Sequence, residues 1–131
     1  MRYLKYECKS TKWGKIIKYD TSDIPQLVTY ERIITEREVE FPEHSHPELE
    51  VYSIIKGRAS IFTEKEFKLK KNYACILYGN EKHSVLLREG CIVDVMRFEP
   101  EEFGLIIAPL AEKAKTQKLE ITPLINELMP F

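Results

Sequence analysis

Nine short segments rich in Ile, Val, Tyr, Phe and Thr follow one another between residues 2 and 98, and this rhythm constrains the fold more than any other feature of the chain. They cover 2–8, 15–19, 27–35, 50–56, 58–63, 66–70, 74–78, 84–88 and 91–98. Turn-forming clusters stand between them: Asp20-Thr21-Ser22-Asp23, Lys56-Gly57-Arg58, Gly79-Asn80 and Glu89-Gly90. Many short strands at near-regular spacing predict a sandwich or barrel rather than alternating strand–helix units.

After Phe98 the pattern changes. Glu99-Pro100-Glu101-Glu102 puts proline and acids where a helix start prefers them. Phe103, Ile106, Ile107, Leu110 and Ala114 follow helical spacing, interrupted at Pro109. Thr122-Pro123 reads as a second cap, with Leu124, Ile125, Leu128 and Met129 on one face before the sequence stops at Phe131. So short a last helix suggests a truncated end or a tail that docks on a partner. The expected organisation is a β-barrel over 1–98 and a helical segment over 99–131, which covers the barrel or forms a homodimer interface.

A length of 131 residues suits one domain with its own core. Net charge is −1, and the densest basic stretch, Lys65 to Lys71, is broken by Glu66, Phe67 and Leu69. It reads as the solvated face of a strand, so nucleic-acid binding by this chain is not expected. Cys8, Cys75 and Cys91 form neither a CxxC pair nor an even disulfide set, and the last two lie in apolar runs. The first residues lack a signal-peptide core, and the longest apolar run, Phe103 to Ala111, is too short to span a bilayer. A cytoplasmic protein with reduced thiols and no membrane association is expected.

The chemistry concentrates in Phe41-Pro-Glu-His44-Ser-His46-Pro-Glu-Leu-Glu50. His44 and His46 stand two apart, so on a strand both imidazoles share a face. Glu50 has the same parity, but a continuous strand would carry it roughly 13 Å past His46. Pro47 interrupts strand pairing and favours a turn, which predicts a reversal that returns Glu50 to the histidines at the start of the next strand. Tyr52 and Ile54 then continue the inward face, and Gly57 supplies the next tight turn. The remaining histidine, His83, also sits between a turn and a strand. Together these side chains read either as a metal site or as a polar, metal-free pocket. Tyr52 and Tyr78 are ligand-facing or core residues, and Ile54 lines the same interior. Glu43 and Glu48 are supporting partners or exposed loop carboxylates.

The segment resembles a cupin, whose first motif is commonly G-x5-HxH-x3/4-E-x6-G and whose second is G-x5-PxG-xx-H-x3-N. His44, His46, Glu50 and Gly57 match the first, and His83 the second. Glu38 replaces the first motif's leading glycine, while Asn72, Tyr78, Asn80 and Leu87 replace the second motif's Gly, Pro, Gly and Asn. Asparagine tolerates left-handed backbone, so the two Gly-to-Asn departures are mild. The resemblance implies a mainly β, double-stranded β-helix (jelly-roll) barrel, here with C-terminal helices. It also implies a divalent transition metal (Mn, Fe, Ni, Zn or Cu) on His44, His46, Glu50 and His83.

Over a longer stretch the chain is similar to the N-terminal effector-binding domain of AraC-type transcription regulators. The likeness runs through His44–Gly57, Phe67–Tyr73, Glu81–Val85 and the exit Met96–Phe103. It implies a sensor domain that binds a small-molecule effector and dimerises through its helices, with no catalytic residue and with the DNA-binding part outside this chain. The alternative is a stand-alone metallocupin enzyme of the isomerase or dioxygenase type.

Overall fold

The computed structural model describes residues 5–25, 27–77 and 80–99, together with the backbone of one strand at Thr116–Glu120. The strands are β1 (Tyr6–Ser10), β2 (Gly14–Tyr19), β3 (Leu27–Thr35), β4 (Val39–His44), β5 (Leu49–Lys56), β6 (Arg58–Phe62), β7 (Glu66–Lys70), β8 (Tyr73–Leu77), β9 (His83–Leu87), β10 (Ile92–Phe98) and β11 (Thr116–Glu120). They form two antiparallel sheets, one ordered β1-β2-β3-β10-β5-β8-β11 and the other β4-β9-β6-β7. Among the described residues there is no helix long and apolar enough to cross a membrane.

Side-chain alternation explains why the sheets pack face to face. Tyr52, Ile54, Cys75, Leu77, Val93 and Val95 of the larger sheet meet Ala59, Ile61, Leu69, Val85 and Leu87 of the smaller in one core cluster. Each fully buried Ile, Leu or Val in it contributes roughly 1.5–3 kcal/mol. Burial of Val51, Ile76, Met96 and Phe98 shows that the central strands of the larger sheet are shielded on their other face too. Gly57 makes the β5–β6 turn at φ 85°, and a Cβ there would stand 2.9 Å from the Cys91 Cα. Asn72 and Asn80 also take positive φ, 73° and 66°, at the two positions where the cupin motif carries glycine.

Two strands were not expected from the sequence. β4 is obscured by Pro42 and by charge at Glu40 and Glu43, a composition that an edge strand of the smaller sheet tolerates. β11 pairs along the outer edge of β8, so the stretch after residue 98, read as helical, contributes a strand. Its sequence, Thr-Gln-Lys-Leu-Glu, holds a single large apolar residue, and an edge position needs little more. The helices expected over 103–114 and 124–129 lie outside the described residues, as does Tyr78.

Candidate metal centre

β4 and β9 bring the first two histidines together. Phe41 pairs with Val85 and His44 with His83, and the register shifts by one residue between these pairs. Paired residues share a face, so this bulge at Pro42-Glu43 turns His44 to the same inner side as Phe41, although three residues separate them. A regular ladder would have turned Glu43 inward instead. β4 ends at His44, so His46 lies beyond the strand, just before the bend at Pro47-Glu48, and the expected pair on one strand is corrected on that point. The reversal around Pro47 is present, and it delivers Glu50 at the start of β5.

All three histidines are oriented in the same way. The Nδ1–H of His44 donates to the Pro42 carbonyl at 2.8 Å, that of His46 to Glu48 at 3.1 Å, and that of His83 to Glu81 at 2.8 Å. A carbonyl only accepts, so the proton sits on Nδ1 and each Nε2 is the nitrogen presented to the centre. The ring centroids of His44 and His83 are 4.3 Å apart, and those of His46 and His83 are 5.4 Å apart. One donor atom from each of His44, His46, Glu50 and His83 lies within 4.8 Å of the other three. The supports are thus backbone carbonyls rather than the carboxylates of Glu43 and Glu48.

Glu50 has no exposed surface, yet it is held ionised. His83 Nε2 reaches its Oε1 at 3.1 Å, and Arg97 Nε donates to Oε2 at 2.7 Å. The Tyr52 hydroxyl hydrogen-bonds the same carboxylate. Burial alone would raise the carboxyl, but the bonds from His83, Arg97 and Tyr52 outweigh it and hold it at about 2. Burial disfavours a charged His83, and its bonds to Glu50 and to the Glu81 carbonyl reverse this and raise it above its ordinary value. Without a metal both shifts favour the charged form of each partner, the imidazole through its bonds to Glu50 and Glu81 and the carboxyl through its bonds to His83, Arg97 and Tyr52.

These four residues fit a metal ion. Nitrogen and oxygen donors bound at about 2.1 Å lie at most ~4.2 Å apart across an ion, and four donor atoms within 4.8 Å of one another have the span of such a site. His46 Nε2 is buried and has no hydrogen-bond partner among the described residues, although it lies 3.3 Å from Glu50 Oε2. An orphaned imidazole nitrogen facing a buried carboxylate is what a bound cation would satisfy.

Of the other residues singled out from sequence, Tyr52 is a core residue whose polar end turns to Glu50, and Ile54 is wholly buried in the core cluster. Cys75 and Cys91 are free and buried, and burial pushes their thiols up to about 12 and about 11, so neither is poised as a nucleophile. Glu38, at the motif's glycine position, makes a half-exposed ion pair with Arg88 at 2.7 Å. Arg97 was not singled out as a site residue. Its signal was parity, since Val93, Val95 and Arg97 alternate on one face of β10 and the first two are in the core.

No protein-family model matches the chain, and no curated protein matches it. Solved structures do. Oxalate decarboxylase from Bacillus subtilis, described with Mn(II) centres, superposes with a TM-score of 0.60 at 15% identity over 73% of this chain and 28% of its own. The formate complex of Lactobacillus farciminis oxalate decarboxylase gives 0.61 at 14% identity over 77% of this chain and 34% of its own. The chain thus spans about a third of the length of these structures. These neighbours support the cupin fold and do not bear on the AraC-type likeness. With its two antiparallel sheets closed over a cluster of three histidines and one glutamate that can hold a metal ion, this chain has the cupin fold.

Proposed function

We propose that the protein is a metallocupin, with His44, His46, Glu50 and His83 as the metal ligands and a small organic molecule as its substrate. The observation that carries this reading is the common orientation of the three imidazoles, each fixed at Nδ1 by a carbonyl two residues away and each presenting Nε2 to one buried carboxylate. Surface histidines have no need of such fixing, and a set of pocket histidines bonded to one another would not leave His46 Nε2 unpartnered among the described residues. Mixed imidazole and carboxylate donors suit Mn or Fe as well as Ni, Zn or Cu. The Mn(II) centres named for the structural neighbours make Mn the first metal to try.

When bound, the ion would supply Lewis-acid or redox chemistry at its open positions. The chain's own residues do the rest. Tyr52 and Arg97 keep Glu50 charged and oriented, and the core beneath Tyr52 and Leu77 excludes water from that side of the centre. His44 and His46 are half-buried while Glu50 and His83 are buried, so access is from the side of the 44–46 turn. An enzyme that acts on a small carboxylate, as the named neighbours act on oxalate, is the reading these neighbours favour. A sensor domain of an AraC-type regulator would use the same pocket for its effector and would add a homodimer through the chain beyond Phe98.

The test is elemental analysis of protein purified without chelator, followed by Mn(II) and Fe(II) titration of the stripped protein. About one ion per chain is expected, with affinity reduced at least about a hundredfold in His83→Ala. A protein that takes up no transition metal at micromolar concentration overturns the proposal. A DNA-binding region encoded in the same gene would decide for the sensor over the enzyme.

A further inference from the structure

Strand β1 closes one end of the larger sheet, and among the described residues no strand pairs with its outer edge. All five of its residues are exposed. Its bonds to β2 fix which backbone groups face that edge. The Lys5 carbonyl accepts from the Asp20 N–H and the Thr11 N–H donates to the Gly14 carbonyl, both at 2.8 Å. The odd-numbered residues therefore turn their backbone groups to β2, and Tyr6, Cys8 and Ser10 direct theirs outward. An edge of this kind is a template for another strand. The side chains of Tyr6, Cys8 and Ser10 share the sheet face opposite the core, where the 64% exposed Tyr6 ring stands 6.0 Å from that of Tyr19.

We propose that β1 pairs antiparallel with β1 of a second copy of this chain, centred on Cys8, and so joins two larger sheets into one across a two-fold axis. Charge selects both the occupant and the register. With Cys8 opposite Cys8 of the second copy, Glu7 faces Lys9 and Lys9 faces Glu7, while Tyr6 faces Ser10. A slip of two residues sets Glu7 against Glu7 in one direction and Lys9 against Lys9 in the other. A slip of one sets an outward-turned residue against an inward-turned one and breaks the ladder. The register that overlaps all five residues is thus also the one in which no like charges meet. Lysine on an edge strand ordinarily keeps other chains away, but here a copy of the same strand brings a glutamate to meet it. The inference stands apart from the metal centre and needs no bound ion.

The experiment is sedimentation velocity of the full chain at increasing concentration, with circular dichroism to verify that each variant is folded. So small an interface predicts a reversible dimer, with Kd on the order of 10 to 100 µM. Lys9→Glu puts glutamate at both positions and Glu7→Lys puts lysine at both, so each alone should dimerise at least about tenfold more weakly. Mixed in equal amounts, the two single variants should associate with about the wild-type affinity, because every lysine then faces a glutamate. The double variant Glu7→Lys/Lys9→Glu keeps the pairing in reverse and should dimerise as the wild type does. Cys8 reports the register, since it is exposed while Cys75 and Cys91 are buried. A hydrogen-bonded pair holds its Cα atoms about 5.5 Å apart, within disulfide range, so oxidation by copper–phenanthroline should link two chains in the wild type and not in Cys8→Ser. A wild type that stays monomeric at about 500 µM, well above the expected Kd, overturns the proposal. So does a dimer that both single charge variants leave unweakened, which would place the interface elsewhere on the chain. A charge-sensitive dimer without the Cys8 link overturns the Cys8-centred register.

Discussion

Glu50 is the residue on which the centre turns, because a fully buried carboxylate is tolerated only while its partners are in place. Glu50→Gln keeps the shape and removes the charge that His83, Arg97 and Tyr52 answer. We expect it to cost about 3 kcal/mol in the metal-free protein near pH 6, read by urea unfolding. It should also weaken metal binding at least about a hundredfold. The pH dependence follows from the same pair. Glu50 is lowered from 4.5 to about 2, so its contribution is complete above 4.5 and is lost as pH falls toward about 2. His83 is raised from 6.5, so its contribution is complete below 6.5 and is lost as pH rises through the higher folded value. The metal-free protein should therefore gain most from this pair between about pH 4.5 and 6.5, and Glu50→Gln should flatten both limbs of the profile. Metal affinity runs oppositely to His83 charging. An ion held by His83 Nε2 would have to displace its proton, so binding should weaken as His83 becomes charged.

At the level of elements, the tight turns carry the strain that glycine or asparagine relieves. Gly57→Ala places a Cβ 2.9 Å from the Cys91 Cα, a backbone atom that cannot swing aside, at φ 85°. A loss of at least about 2 kcal/mol is expected in thermal or chemical unfolding. Asn72 and Asn80 take the left-handed conformation at φ 73° and 66°. Replacing either with alanine should cost about 1 kcal/mol, while glycine should leave stability within about 0.5 kcal/mol of the wild type. Asn80 carries more than a turn. Its N–H donates to the His46 carbonyl at 2.7 Å, which ties the second motif's loop to the first. Its alanine variant is therefore expected to lower metal affinity as well, and Asn72→Ala is not. The bulge in β4 works on the same scale: one extra residue opposite β9 decides which side chain, Glu43 or His44, enters the barrel.

For the whole molecule, the centre joins both sheets. His44 and His83 come from β4 and β9 of the smaller sheet, while Glu50 and Arg97 come from β5 and β10 of the larger. A bound ion would thus cross-link the two halves, and saturation to about a hundredfold over Kd should add about 2.7 kcal/mol and roughly 10 °C to Tm. Chelator should remove that gain, and His83→Ala should show none of it. Much of this architecture was legible beforehand. Strand rhythm predicted a mainly β barrel, Pro47 predicted the reversal that returns Glu50, and the spacing of His44, His46, Glu50 and His83 marked them out as one group. These are local properties, since side-chain period, proline geometry and turn chemistry act over a few residues. What the sequence could not supply is pairing between distant segments. The charged edge strand β4, its one-residue slip and the pairing of β11 with β8 depend on a neighbouring strand that periodicity does not name. Arg97 belongs to the same class, forty-seven residues from the Glu50 it holds. Only the closed barrel brings that guanidinium to the carboxylate, because the contact follows from the register of β10 against β5 and from nothing in either strand alone.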